Sequence, residues 1–93
     1  MKNAADYVVV YDISSDEERG RVDQLLKGYG FRIQKSVFEC RLSRRHRDEL
    51  VRRMTELDIQ TGFVRAYRLD YSSRLTNIGQ SKPGKDDGYA FIV

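Results

Sequence analysis

An α+β fold follows from three observations on the sequence. The chain opens on an apolar strand stretch, Tyr7-Val8-Val9-Val10-Tyr11-Asp12-Ile13. Two later stretches carry apolar residues at helical spacing, each just after a serine suited to cap a helix. Between and after them lie strand-like runs, so the order reads strand, helix, two strands, helix, strand.

The first strand owes its propensity to Val8, Val9, Val10 and Ile13, which are β-branched, and to its two tyrosines. Its nearly continuous apolar run predicts a central strand covered on at least one face. Asp12 breaks that run. A carboxylate in such company needs a partner, a metal or an exit to solvent at the strand end. Ser15 and Glu18 then form a capping-box pattern, and Asp16, Glu17 and Glu18 suit the positive end of a helix. Val22, Leu25, Leu26 and Tyr29 supply its buried face, and Gly28 and Gly30 stop it.

From Phe31 to Leu42 the apolar parity switches, from odd positions (Phe31, Ile33, Val37) to even ones (Phe38, Cys40, Leu42). Such a switch requires a bulge or a tight turn near Lys35-Ser36-Val37, and two short strands suit a chain of this size. Ser43 caps a second helix running to about Leu57, with Leu50, Met54 and Leu57 inward. After a turn at residues 58–62, the run from Phe63 to Tyr71 is a strand in which Phe63, Tyr67, Leu69 and Tyr71 share one parity. With right-handed crossovers this order gives a ferredoxin-like sandwich, βαββαβ, both helices on one face of an antiparallel sheet. Residues 75–79 read as a short extra strand, which closes a domain over residues 1–79. Residues 80–88 read as a linker, and Tyr89 to Val93 as an apolar strand-like tail, expected at a sheet edge of its own chain or a partner's.

Composition narrows the function. Ninety-three residues make one domain with a small core, which association would help. No run approaches the ~20 apolar residues of a membrane span. The start of the sequence shows no signal-peptide pattern, and the single Cys40 excludes an internal disulfide and a cysteine-based zinc site. A cytoplasmic setting is the expectation. The net charge is +3, and six arginines (Arg41, Arg44, Arg45, Arg47, Arg52, Arg53) fall in one stretch against Asp48 and Glu49. That stretch reads either as a solvated helix face or as a phosphate-binding surface. Arg44, Arg45 and Arg47 crowd the amino end of the second helix against its dipole, a conflict that solvent, nearby acids or a bound phosphate would relieve.

The chemical candidates are few. Asp12 at a strand end suits Mg²⁺, which takes one or two carboxylates and keeps several waters. The plainer reading has Asp12 cap the next helix or pair with an arginine. No second carboxylate lies nearby in a ligand pattern, so a metal cage would need another chain. Arg19, Arg21 and Arg32 are placed to gather near Asp12, either around a phosphodiester or as a salt-bridge network. His46 reads as a surface residue and Cys40 as core. The tyrosines and phenylalanines mostly fall at core parity, and no glycine-rich phosphate loop or catalytic triad pattern is present.

Three blocks taken together resemble the CRISPR-associated protein 2 family. They are Tyr7 to Ile13, Arg19-Gly20-Arg21-Val22, and Tyr29-Gly30-Phe31-Arg32-Ile33-Gln34-Lys35-Ser36-Val37-Phe38-Glu39, and the likeness runs from residue 7 to about 71. The resemblance implies a ferredoxin-like homodimer that works with the CRISPR integrase in spacer acquisition. It implies that Asp12 faces its twin across the dimer axis, the two sharing a divalent cation such as Mg²⁺. It also ties Tyr11, Asp12, Arg19, Arg21, Arg32 and Phe38 to a metal-dependent nuclease site. Some members are assigned endonuclease activity on single-stranded RNA or double-stranded DNA, whereas others bridge integrase dimers without catalysis.

Two functions follow as expectations. One is an adaptor that lays its arginines along DNA and engages the integrase through its tail. The other is a Mg²⁺-dependent phosphodiesterase centred on Asp12. A third, an RNA-recognition module of the same fold, lacks the aromatic-rich glycine motif expected on a central strand.

Overall fold

The computed structural model describes residues 4–70, 76, 78 and 79 of the chain. Six elements follow one another: β1 (Ala5–Ile13), α1 (Asp16–Leu26), β2 (Gly30–Gln34), β3 (Val37–Leu42), α2 (Arg44–Glu56) and β4 (Gly62–Leu69). The sheet is antiparallel with order β2-β3-β1-β4. That order, with two helices between strands, is the ferredoxin-like arrangement expected from the sequence.

The parity switch marks a two-residue turn, with Lys35 and Ser36 between β2 and β3, and the register slips between Arg32 and Gln34. The core is built on one face of the sheet. Tyr7, Val9, Tyr11 and Ile13 from β1 meet Phe38, Cys40 and Leu42 from β3. In register Tyr7 faces Cys40 and Val9 faces Phe38. Val22 and Leu26, one helical turn apart on α1, are fully buried against them. Burying each such side chain is worth about 1.5–3 kcal/mol. From α2 only Leu50 is fully buried, with Met54 and Leu57 half-buried.

β1 is a central strand covered on its helix face, as expected: Tyr7, Val9, Tyr11 and Ile13 are buried, Val8 and Val10 on the other face are half-buried, and Asp12 is exposed. Three expectations need correction. In β4 the odd residues turn away from the core. Phe63 is 44 % exposed and Tyr67 50 %, because Asp12 pairs with Phe63 and Val8 with Tyr67 on the face opposite the helices. The residues of β4 on the helix side are Val64, Ala66 and Arg68, opposite Tyr11, Val9 and Tyr7.

The capping box closes by half. The Ser15 hydroxyl accepts from the Glu18 amide at 3.1 Å, but the Glu18 carboxylate accepts from the Gln60 and Thr61 amides instead, both at 2.9 Å. Glu18 thereby ties the start of α1 to the entry of β4. Gly28 and Gly30 do not end α1 by left-handed turns, since neither has positive φ. Gly30 is needed for a different reason. A Cβ there would lie 2.0 Å from the Glu39 carbonyl oxygen on β3. The extra strand at 75–79 and the tail at 80–93 fall largely outside the described residues; of the described ones, Ile78 is 90 % exposed.

Candidate functional site

The end of β1 presents two adjacent side chains to opposite faces. Tyr11 points toward α1 and is 4 % exposed. Its hydroxyl donates to the carboxylate of Asp23 on α1. Arg32 from β2 donates to the other Asp23 oxygen at 2.8 Å and to the Lys35 carbonyl at 2.8 Å. The Arg32 guanidinium also lies over the Phe38 ring, 5.2 Å from its centroid. Tyr11, Arg32 and Phe38 are therefore one cluster, with Asp23 at its centre.

The electrostatics of that cluster are those of a structural network. Burial, together with Asp23, pushes the Tyr11 hydroxyl up to about 12. Burial acts to raise the Asp23 carboxyl, yet the Tyr11 hydroxyl and Arg32 together hold it below the usual range. Tyr11 thus stays neutral and donates, while Asp23 stays charged and accepts.

Asp12 lies outside this network. It is exposed on the opposite face and makes no hydrogen bond or ion pair among the described residues. It neither caps α1, a task taken by Ser15, nor pairs with an arginine. Of the three arginines expected around it, none pairs with it. Arg19 donates to the Ile13 carbonyl at 2.6 Å and pairs with Asp16. Arg21 pairs with Glu17 at 3.3 Å on the exposed side of α1, and Arg32 is held by Asp23. The six residues grouped by the sequence thus divide: three form a half-buried cluster, Arg19 braces the strand end, Arg21 sits on the surface and Asp12 stands alone.

Local backbone packing sets the position of Asp12. A Cβ on Gly62 would lie 1.8 Å from the Asp12 carbonyl oxygen, so β4 approaches this closely only because residue 62 has no side chain. Thr61 completes the corner. Its carbonyl accepts from the Ser14 amide, and its hydroxyl accepts from the Ser15 amide, both at 3.0 Å.

A model of the CRISPR-associated protein Cas2 family matches residues 5–76 of this chain. The chain belongs to the Cas2 family. It is 35 % identical over 91 residues to a CRISPR-associated endoribonuclease Cas2 from Chloroflexus aurantiacus, covering 94 % of this chain and 98 % of that one. It is 39 % identical over 74 residues to a CRISPR-associated endonuclease Cas2 from Thermus thermophilus, covering 78 % and 82 %. Among solved structures it superposes on a hypothetical protein, TT1823, from Thermus thermophilus with a TM-score of 0.76 and 34 % identity, covering 85 % of this chain and 95 % of that one.

Within this Cas2-family chain the arginine-rich stretch is not one surface. Arg41 lies on β3, on the face away from the helices, and pairs with Asp6 at 2.9 Å. On α2, Arg47 pairs with Asp48 at 3.0 Å and Arg52 with Glu56 at 3.3 Å. Arg53 lies over the Tyr29 ring and donates to its hydroxyl at 3.0 Å. Arg44 and Arg45 are exposed and make no ion pair among the described residues. His46 is exposed and Cys40 buried, as expected.

Four residues with a clear role in this geometry were not singled out from the sequence: Asp23, Thr61, Gly62 and Glu39. Asp23 shows no signal in one dimension, because its partners come from β1 and β2. Glu39 pairs in register with Val8 and Phe31, is fully buried, and neither carboxylate oxygen has a hydrogen-bond partner among the described residues. Burial pushes its carboxyl up to about 8, with Asp6 adding to the rise and Arg41 opposing it. Among the described residues no three His, Cys, Asp or Glu side chains cluster as a metal cage, and no helix is long and apolar enough to cross a membrane.

Proposed function

We propose that this chain is a CRISPR adaptation protein that binds nucleic acid as a homodimer and supports integration of new spacers with the CRISPR integrase. The observation that carries the nucleic-acid part is the pair Arg44 and Arg45. Both are exposed in the first turn of α2, and neither has an acidic partner among the described residues. Unpaired guanidinium groups are free to take phosphate without first breaking an ion pair. The exposed Phe63 and Tyr67, beside Val8 and Val10, give the opposite face of the sheet the apolar character of an association surface.

A hydrolytic reading stands beside this one. Relatives carry the names endoribonuclease and endonuclease. Asp12 supports it as an exposed carboxylate with no partner among the described residues, the donor type Mg²⁺ accepts. Among the described residues one chain offers one such carboxylate, so Asp12 of two copies would hold the ion. A divalent cation there supplies phosphate polarisation and activation of water. In this reading Arg19 keeps the strand end in place through the Ile13 carbonyl, while Tyr11, Arg32 and Phe38 hold β1 from the other side of the sheet.

Two measurements test these readings. Binding to duplex DNA and to single-stranded RNA, followed against salt, should lose about 2 from its log–log slope in the Arg44→Glu, Arg45→Glu variant. An unchanged slope would move the contact elsewhere. Asp12→Asn should abolish Mg²⁺-dependent cleavage while leaving binding intact. If the wild type cleaves nothing, or the variant cleaves equally, the purely non-catalytic adaptor is the remaining form of the proposal.

A further inference from the structure

Asp12 sits where the sheet has thinned to two strands. The register of β1 with β3 ends at Val10 and Val37, after which the Tyr11 amide donates to the Ser36 carbonyl at 3.1 Å. The register with β4 runs on through Asp12 and Phe63 to Ile13 and Gly62. From Asp12 onward β4 is therefore the one strand beside β1 among the described residues, and Gly62 is where β4 begins. A two-stranded end frays unless something anchors it. Asp12 supplies no anchor of its own, since its side chain makes no hydrogen bond or ion pair among the described residues.

Thr61 is the anchor. In a capping box the carboxylate three residues into a helix accepts directly from the amide of the capping residue. Here the Thr61 hydroxyl stands between the two. It accepts from the Ser15 amide at 3.0 Å and donates to a Glu18 carboxylate oxygen at 2.5 Å, a double task that a hydroxyl can perform. The Thr61 amide donates to that same oxygen and the Gln60 amide to the other, both at 2.9 Å. The Thr61 carbonyl accepts from the Ser14 amide at 3.0 Å. The cap of α1 is thus completed by a residue 43 positions beyond Glu18. The end of β1, the start of α1 and the entry of β4 form one hydrogen-bonded unit, and Asp12 lies directly before it.

Geometry matters to a cation such as Mg²⁺, which demands a near-ideal octahedron, so a carboxylate displaced by a fraction of an ångström holds it poorly. We propose that Thr61 is a positioning residue for Asp12: its hydroxyl fixes the strand end that carries the carboxylate, and thereby the affinity of Asp12 for a divalent cation. This role rests on the hydrolytic reading for its metal. It involves no contact with nucleic acid, so Arg44 and Arg45 keep the part given to them above.

Two variants of the full chain isolate the hydroxyl. Thr61→Val keeps the shape of the side chain and the backbone bonds but loses the hydroxyl, whereas Thr61→Ser retains it. Mn²⁺ titration, followed by the electron paramagnetic resonance of the free ion, measures binding, and Asp12→Asn marks the share that belongs to Asp12. Thr61→Val should weaken that share about tenfold, the usual effect of losing a group that orients a ligand, and Thr61→Ser should restore it. Tyr29→Phe removes the hydrogen bond to Glu49, beyond the far end of α1. It should leave Mn²⁺ affinity unchanged, which separates positioning from a general loosening of the fold.

A second readout needs no metal. In metal-free protein the N–H residual dipolar coupling of Asp12 should shift in Thr61→Val and return in Thr61→Ser, while those of Val9 and Phe38 in the core stay at their wild-type values. An unmoved Asp12 coupling, or equal Mn²⁺ affinity in Thr61→Val and the wild type, would overturn the proposal. A wild type that binds no Mn²⁺ through Asp12 would sink the hydrolytic reading by itself, and the coupling alone would then uphold or overturn the placement of Asp12 by Thr61.

Discussion

Tyr11 and Asp12 are adjacent in the chain and face opposite sides of the sheet. Tyr11 is buried and bonded to Asp23, whereas Asp12 is exposed and unpartnered among the described residues. The two residues therefore answer to different forces, packing and hydrogen bonding for one and solvent or a ligand for the other.

That division predicts opposite outcomes for conservative changes. Tyr11→Phe removes one of the hydrogen bonds to a charged, half-buried carboxylate and should cost about 1–3 kcal/mol of stability. Asp12→Asn removes no contact and should stay within about 0.5 kcal/mol of the wild type. Urea unfolding of the two variants checks both. A large loss in Asp12→Asn would mean that Asp12 has a structural partner.

Glu39 predicts a falling stability curve above mildly acidic pH. Its folded carboxyl is pushed up to about 8 by burial, well above the ordinary carboxylate value. The native state therefore keeps a proton that the unfolded chain releases. Stability from this group is complete below the unfolded pKa of about 4.3, declines as pH rises, and is lost once pH passes the folded value. Glu39→Gln, which cannot ionise, should gain on the wild type by up to about 5 kcal/mol at pH 8–9 and match it near pH 4. Parallel curves for the two proteins would show that Glu39 finds a partner when charged.

The glycines predict a signed series. Gly62→Ala and Gly30→Ala each force a Cβ into a backbone carbonyl, of Asp12 and Glu39 respectively, and should cost about 1–3 kcal/mol. Gly20 lies within α1 with nothing within 4 Å of its virtual Cβ. Gly20→Ala should therefore stabilise by about 0.5–1 kcal/mol. Thermal melts order the three variants, and a destabilising Gly20→Ala would contradict the open space around it.

Glu18 predicts part of the acid limb. The Thr61 hydroxyl and the Gln60 and Thr61 amides hold its carboxyl below the ordinary range. The stability it contributes is present above the unfolded pKa and lost as pH falls through the folded one. Glu18→Gln should flatten acid unfolding and loosen the junction of α1 with β4, seen as faster amide exchange at Gln60 and Thr61. Unchanged exchange there would leave the contact without a role in holding the corner.

Residue pattern alone specified much of this molecule. The order of elements, the Ser15 and Ser43 caps, the turn at Lys35-Ser36, the buried Cys40 and the surface His46 follow from local propensity, helical spacing and strand parity. Those are properties of neighbours in sequence. The likeness of three sequence blocks also pointed to the family that the comparisons establish. Parity divides a strand into two faces but does not say which one the helices cover. Only the packed fold turned Phe63 and Tyr67 outward, left Asp12 exposed and gave Asp23 its partners from β1 and β2. It alone buried Glu39 without a hydrogen-bond partner among the described residues and required bare backbone at Gly30 and Gly62. Each of these depends on groups distant in sequence meeting within a few ångströms, and one-dimensional spacing holds no record of that distance.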